Sequence, residues 1–224
     1  MIYILDTADL AAIKHCNEFY PLAGVTTNPS IIAKAKTDFW PLVEEIRAII
    51  GKDKMLHVQT TAEKAEDIVE EAKLMQERLG GDFYIKIPIG EEGLKATMML
   101  KKLGIKVTMT AIFTPAQALL AAKAGATFVA PYVNRLDNIL GDGTEVVAQI
   151  VEEFAVHGLD TMVLAASFKN AEQVHKCALA GCHSVTITDD VLKNLVSHPM
   201  TDAAIAGFDK DWKGVYGNKT IKDF

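Results

Sequence analysis

The chain has 224 residues, half of them apolar, which is enough to bury a full core and suits one α/β domain as well as two small ones. Its formal net charge of −6 and pI near 5.5 argue against nucleic acid or an anionic membrane as the main partner, since both call for a basic surface. No apolar run approaches the roughly 20 residues that span a bilayer. The start MIYILDTADL lacks a basic segment followed by a long apolar core. The three cysteines, Cys16, Cys177 and Cys182, are an odd number without metal-type spacing, so the expected compartment is a reducing cytosol.

Taken in chain order, short apolar runs rich in β-formers alternate with amphipathic helical stretches, the pattern of βαβ units in a parallel sheet. Strands are predicted at Ile2–Asp6, Gly24–Thr27, Met55–Thr60, Phe83–Pro88, Lys106–Ala111, Phe128–Tyr132, Met162–Ala166 and Ser184–Ile187. Helices such as Ala62–Leu79, Glu91–Leu103 and Pro115–Ala124 lie between them. Thr7 and Asp9 are candidate caps for the first helix, Gly104 and Gly125 follow two others, and Asp142-Gly143-Thr144 precedes a further one. This count and rhythm predict an α/β fold, a single (β/α)8 TIM-type barrel over residues 1–224; an open doubly wound sheet is the alternative. Residues 199–224 add a C-terminal helix and tail beyond what barrel closure needs. Ile205, Phe208 and Trp212 form an apolar stripe there, which either packs on the barrel's own bottom or covers a neighbouring subunit.

In such a barrel the productive groups sit at the C-terminal ends of the strands. The polar residues at those positions are Asp6, Thr26-Thr27-Asn28, Gln59, Lys86, Thr110, Tyr132 with Asn134-Arg135, and Ser167-Phe168-Lys169. Lys86 stands out, because FYIKIPIG places it on the same strand face as Tyr84 and Pro88, inside an apolar run. It is either an interior ion pair with Asp6 or a desolvated amine able to attack a carbonyl and form a Schiff base. Schiff-base chemistry needs proton transfer, for which Tyr132 and Thr110 are candidates, with Gln59 holding a water. Each has a plainer alternative: Tyr132 a core tyrosine, Asp6 the helix cap of the DTAD turn. Arg135, Ser167 and Lys169 suit a phosphate, although Arg135 and Asp137 also read as a loop ion pair.

His15, His57, His157, His175, His183 and His198 show no H-x-x-x-H or H-E-x-x-H spacing, which argues against a metal site. There is no G-x-G-x-x-G or P-loop, so no cofactor is expected.

The segments LDTAD, PLAGVTTNPSII, the K-I-P strand, APYVNR, LAASFKN and HPMTDAAI resemble the small transaldolase family that includes fructose-6-phosphate aldolase. The likeness runs over almost the whole chain. It implies a (β/α)8 barrel and a class I mechanism with Lys86 as the Schiff-base lysine. Asp6 and Asn28, beside Thr26, would handle substrate hydroxyls and proton traffic, and Arg135, Ser167 and Lys169 would hold the phosphate. Family transaldolases place a glutamate on the third strand and usually a phenylalanine after the sixth; Gln59 and Tyr132 match the aldolase pattern instead. The resemblance also implies a sugar-phosphate substrate and a ring-like homo-oligomer, commonly a decamer.

Overall fold

A computed structural model describes residues 1–224. Eight strands close into a barrel in sequence order: β1 (Ile2–Asp6), β2 (Gly24–Thr26), β3 (Met55–Gln59), β4 (Phe83–Pro88), β5 (Lys106–Ile112), β6 (Phe128–Pro131), β7 (Met162–Ala165) and β8 (Ser184–Ile187). Every neighbouring pair is parallel, and β8 returns to β1 through Ile2–Ser184 to Leu5–Ile187. The open-sheet alternative is thereby excluded. Around the barrel run α1 (Leu10–Phe19), α2 (Pro29–Lys34), α3 (Phe39–Ile50), α4 (Ala65–Leu79), α5 (Glu91–Lys102), α6 (Pro115–Ala124), α7 (Val133–Asp137), α8 (Gly143–Val156), α9 (Ala171–Leu179), α10 (Asp189–Val196) and α11 (Pro199–Tyr216).

Strand alternation divides the buried residues into two compartments. Outward-facing Leu5, Val25, Leu56, Ile85, Val107, Val129, Val163 and Val185 join the helices' apolar faces in a continuous shell. Inward-facing Ile4, Met55, Tyr84, Phe128 and Leu164 form a small separate plug low in the barrel. Above that plug the inward positions turn polar, with buried Thr26, His57, Lys86, Thr108, Thr110 and Thr186. Gly24 is required where β2 meets β3, because a Cβ there would collide with the carbonyl oxygen of Met55.

The expected boundaries of β1, β4, β8 and α6 match the observed ones. Elsewhere Thr27, Thr60, Tyr132 and Ala166 lie one residue past their strands, and β5 runs one residue further than expected, to Ile112. That strand carries a bulge, since its register with β6 shifts between Met109 and Ile112 and Ala111 takes a left-handed φ of 58°. Helix starts follow local chemistry. Asp9 caps α1 through the amides of Ala11 and Ala12, Thr114 and Gln117 form a capping box on α6, and Asp142 caps α8.

The structure decides against one expectation for the C-terminal segment. Every residue from Val196 to Phe224 is exposed, so the stripe of Ile205, Phe208 and Trp212 does not pack on this chain's own barrel. The tail instead folds back on the helix: Trp212 Nε1 donates to the Lys219 carbonyl at 2.6 Å, and Trp212 and Tyr216 meet Phe224 edge-on.

Candidate active site

A cavity of about 1200 Å3 opens at the C-terminal ends of the strands. Of the ten residues singled out from the sequence, eight line it: Asp6, Asn28, Gln59, Lys86, Tyr132, Arg135, Ser167 and Lys169. Thr26 and Thr110 do not. Both are buried against other side chains, Thr26 with its hydroxyl 2.7 Å from Asp6 Oδ1 and 2.5 Å from Thr186, and Thr110 with its hydroxyl 3.1 Å from that of Tyr132. Their hydroxyls engage Asp6 and Tyr132, which do reach the cavity.

Lys86 projects from the middle of β4 into the barrel and is only 5 % exposed. Its ammonium donates to the Thr27 carbonyl at 2.8 Å and forms no ion pair, so the interior Asp6–Lys86 bridge is not made. Burial pushes its pKa below the ordinary 10.5, and the nearby Asp6 charge opposes that shift without cancelling it. The result is an amine with access to its neutral, nucleophilic form at the floor of a cavity. Asp6 is not the cap of the DTAD turn, a role taken by Asp9; Thr7 braces Asp9 by accepting from its amide at 3.1 Å. The Asp6 carboxylate is left on the cavity wall, held by Thr26.

Asn28 accepts from the Ile31 amide with Oδ1 and so caps α2, which fixes its side chain at the cavity edge. Gln59 pairs with Lys86 across β3 and β4, and its Oε1 is buried without a partner. Tyr132 follows β6, joined to Ala166 by an isolated bridge. The Phe113 ring lies edge-on at 5.5 Å and the Arg135 guanidinium sits over its face at 4.8 Å. Asp137 makes no pair with Arg135; it accepts from Gly143 N at 2.8 Å and Gln173 Nε2 at 2.6 Å. Arg135 on α7 and Lys169 in the loop after β7 are therefore two unpaired cations at the rim, with Ser167 on the same loop as Lys169. Ser167 holds a left-handed φ of 64°, a conformation that costs a non-glycine residue on the order of 1 kcal/mol or more.

One group missed by the sequence reading is His57, which was weighed only as a metal ligand. It is fully buried on β3, two residues below Gln59, stacked on Tyr84 at 4.4 Å, with Nδ1 2.8 Å from the Thr108 hydroxyl. Burial, reinforced by the charges of Lys86 and Arg47, holds its pKa well below the ordinary 6.5. The unfolded chain then binds a proton at this residue that the folded chain refuses. Stability from His57 is full above pH 6.5 and falls by about 1.4 kcal/mol per pH unit below it, until the folded-state pKa is reached. Urea unfolding from pH 8 to pH 5 is expected to show this slope in the wild type and a shallower one in His57→Phe; equal slopes would contradict it.

A family model of transaldolase/fructose-6-phosphate aldolase matches residues 3–219. The chain belongs to this family. Membership makes the protein an aldolase or transaldolase enzyme. More distant solved structures share the barrel alone. A native KDPGal structure is 19 % identical with a TM-score of 0.56, covering 95 % of this chain and 94 % of the other. A mandelate oxidase mutant with a monooxide FMN adduct is 14 % identical with a TM-score of 0.59, covering 96 % and 74 %. A cube-shaped, highly porous designed protein cage is 16 % identical with a TM-score of 0.58, covering 96 % and 77 %.

Proposed function

We propose that this family member is a class I aldolase that reversibly cleaves fructose 6-phosphate to dihydroxyacetone and glyceraldehyde 3-phosphate. The observation that carries the reading is Lys86, a buried amine with no carboxylate pair, under a cavity whose rim bears Arg135 and Lys169. The phosphate lies against Arg135, Lys169 and the Ser167 hydroxyl, while the ketose end reaches down to Lys86. Lys86 adds to the C2 carbonyl, and loss of water from the carbinolamine gives an iminium. The C4 hydroxyl gives up its proton to the Asp6 carboxylate, the C3–C4 bond breaks, and its electron pair flows into the iminium as an enamine. Glyceraldehyde 3-phosphate leaves. Protonation of the enamine and hydrolysis of the imine then release dihydroxyacetone and restore the lysine.

Asp6 and Asn28 serve the hydroxyls of the ketose, and Tyr132, backed by Thr110, supplies the proton to the enamine. Gln59 has no titratable group, so it holds and orients but does not exchange a proton. The second reading, a transaldolase that passes the dihydroxyacetone unit to an aldose, is disfavoured by the same pair, since that enamine must survive until an acceptor arrives. Sodium borohydride reduction in the presence of dihydroxyacetone is expected to leave a mass adduct on the peptide carrying Lys86. An unmodified Lys86 would refute the imine.

We also propose a homo-oligomer in which α11 lies on a second copy of this chain. An isolated helix of 18 residues is marginal in water, and this one is exposed along its whole length with Met200, Ile205 and Phe208 uncovered. Light scattering is expected to give a mass several times 24.4 kDa for the full chain and a smaller assembly after removal of residues 198–224. A full-length monomer would contradict it.

A further inference from the structure

Between the apolar plug and the cavity floor lies a polar contact that the proposed reaction does not use. His57 on β3 and Thr108 on β5 are both fully buried, and their side chains meet at 2.8 Å. The bond therefore crosses the inner face of β4 from one flanking strand to the other. In register, His57 lies beside Tyr84, while Thr108 lies beside Lys86. The imidazole stacks on the Tyr84 ring with only 7° between planes, so the bridge runs between the inward-facing Tyr84 below and Lys86 above. Phe128 meets both stacked rings edge-on, at 5.5 Å from His57 and 5.4 Å from Tyr84. Neither His57 nor Thr108 lines the cavity.

As mere filling this pair is a poor choice. His57 Nε2 is buried without a partner, and an apolar pair of similar shape would fill the space without that cost. The two bridge residues flank the lysine's own strand, Thr108 level with Lys86 and His57 one inward position below it. We propose that the His57–Thr108 bridge is a positioning strut: it forms the floor on which the Lys86 side chain rests and keeps the amine directed upward, toward the Thr27 carbonyl and the ligand. Without the strut, the long side chain gains room to sink toward the plug. This inference rests on Lys86 being the imine-forming lysine.

The test is the rate of borohydride trapping with dihydroxyacetone, per mole of folded protein, in wild type, Thr108→Val, Thr108→Ser, His57→Phe and the Thr108→Val/His57→Phe double variant. Val keeps the shape of Thr without its hydroxyl, Ser keeps the hydroxyl, and Phe keeps a ring against Tyr84. A displacement of about 1 Å can cost on the order of a hundredfold in rate. Both Thr108→Val and His57→Phe are expected to slow trapping by about tenfold, the double variant by no more than either, and Thr108→Ser to stay within about twofold of wild type. Single variants that trap at the wild-type rate and merely melt earlier would overturn the strut, as would losses that multiply in the double variant. A wild type that forms no adduct at all would instead remove the imine reading, and the strut with it.

Discussion

Lys86→Met is expected to fold as well as the wild type or better, to lose the dihydroxyacetone adduct entirely, and to lose turnover by at least about 10⁴-fold. The stability half follows from burial. A 5 % exposed ammonium with one hydrogen bond to a carbonyl and no ion pair is costly to the folded state, and a methionine of similar length removes that cost. The activity half follows from chemistry, since loss of a covalent nucleophile removes a whole step and costs several orders of magnitude. A lysine kept for structure would give the opposite pairing, a lower melting temperature with turnover retained. Thermal melting and fructose 6-phosphate cleavage on the same preparation separate the two.

Tyr132→Phe is expected to reduce cleavage of fructose 6-phosphate by roughly 10² to 10³, within the range that a general acid or base contributes, while leaving borohydride trapping at Lys86 within a few-fold of wild type. The ring has every reason to stay in place. Phe113 packs on its edge, Arg135 lies over its face, and neither contact uses the hydroxyl. What disappears is the proton donor and its 3.1 Å contact with Thr110. Because the enamine then waits longer on Lys86, transfer of its dihydroxyacetone unit to an added aldose should suffer less than cleavage. Equal loss of trapping and cleavage would mean that Tyr132 shapes the cavity and moves no proton.

Much of this architecture was legible in the sequence, and the exceptions have physical causes. Strand β4 was readable to the residue because FYIKIP combines strict alternation with a proline at its end, and Lys86 stood out because a charge inside such a run needs a partner or a purpose. The residues just past several strands, Thr27, Thr60, Tyr132 and Ala166, read as strand because they continue the extended chain. Two of them, Tyr132 and Ala166, already line the cavity. The bulge at Ala111 left no mark, since alanine carries no signal for a left-handed φ.

Depth inside the barrel was the main thing hidden. Alternation says that Thr26 and Thr110 face inward, but whether an inward residue meets the cavity or stands behind its lining depends on how the strands tilt and which neighbour is larger. Thr26 lies behind Asp6, and Thr110 behind Tyr132. The supposed Arg135–Asp137 pair failed for a simpler reason: residues two apart on a helix do not face each other. His57 was visible as an inward position in Met55, His57, Gln59, yet only closure of the barrel brings Thr108 across β4 to meet it.

The most direct measurement is release of glyceraldehyde 3-phosphate from fructose 6-phosphate, followed with and without erythrose 4-phosphate as acceptor. Release without acceptor is the expected result, with Tyr132 completing each cycle by protonating the enamine. Release only when erythrose 4-phosphate is present would contradict it and make this chain a transaldolase despite Gln59 and Tyr132.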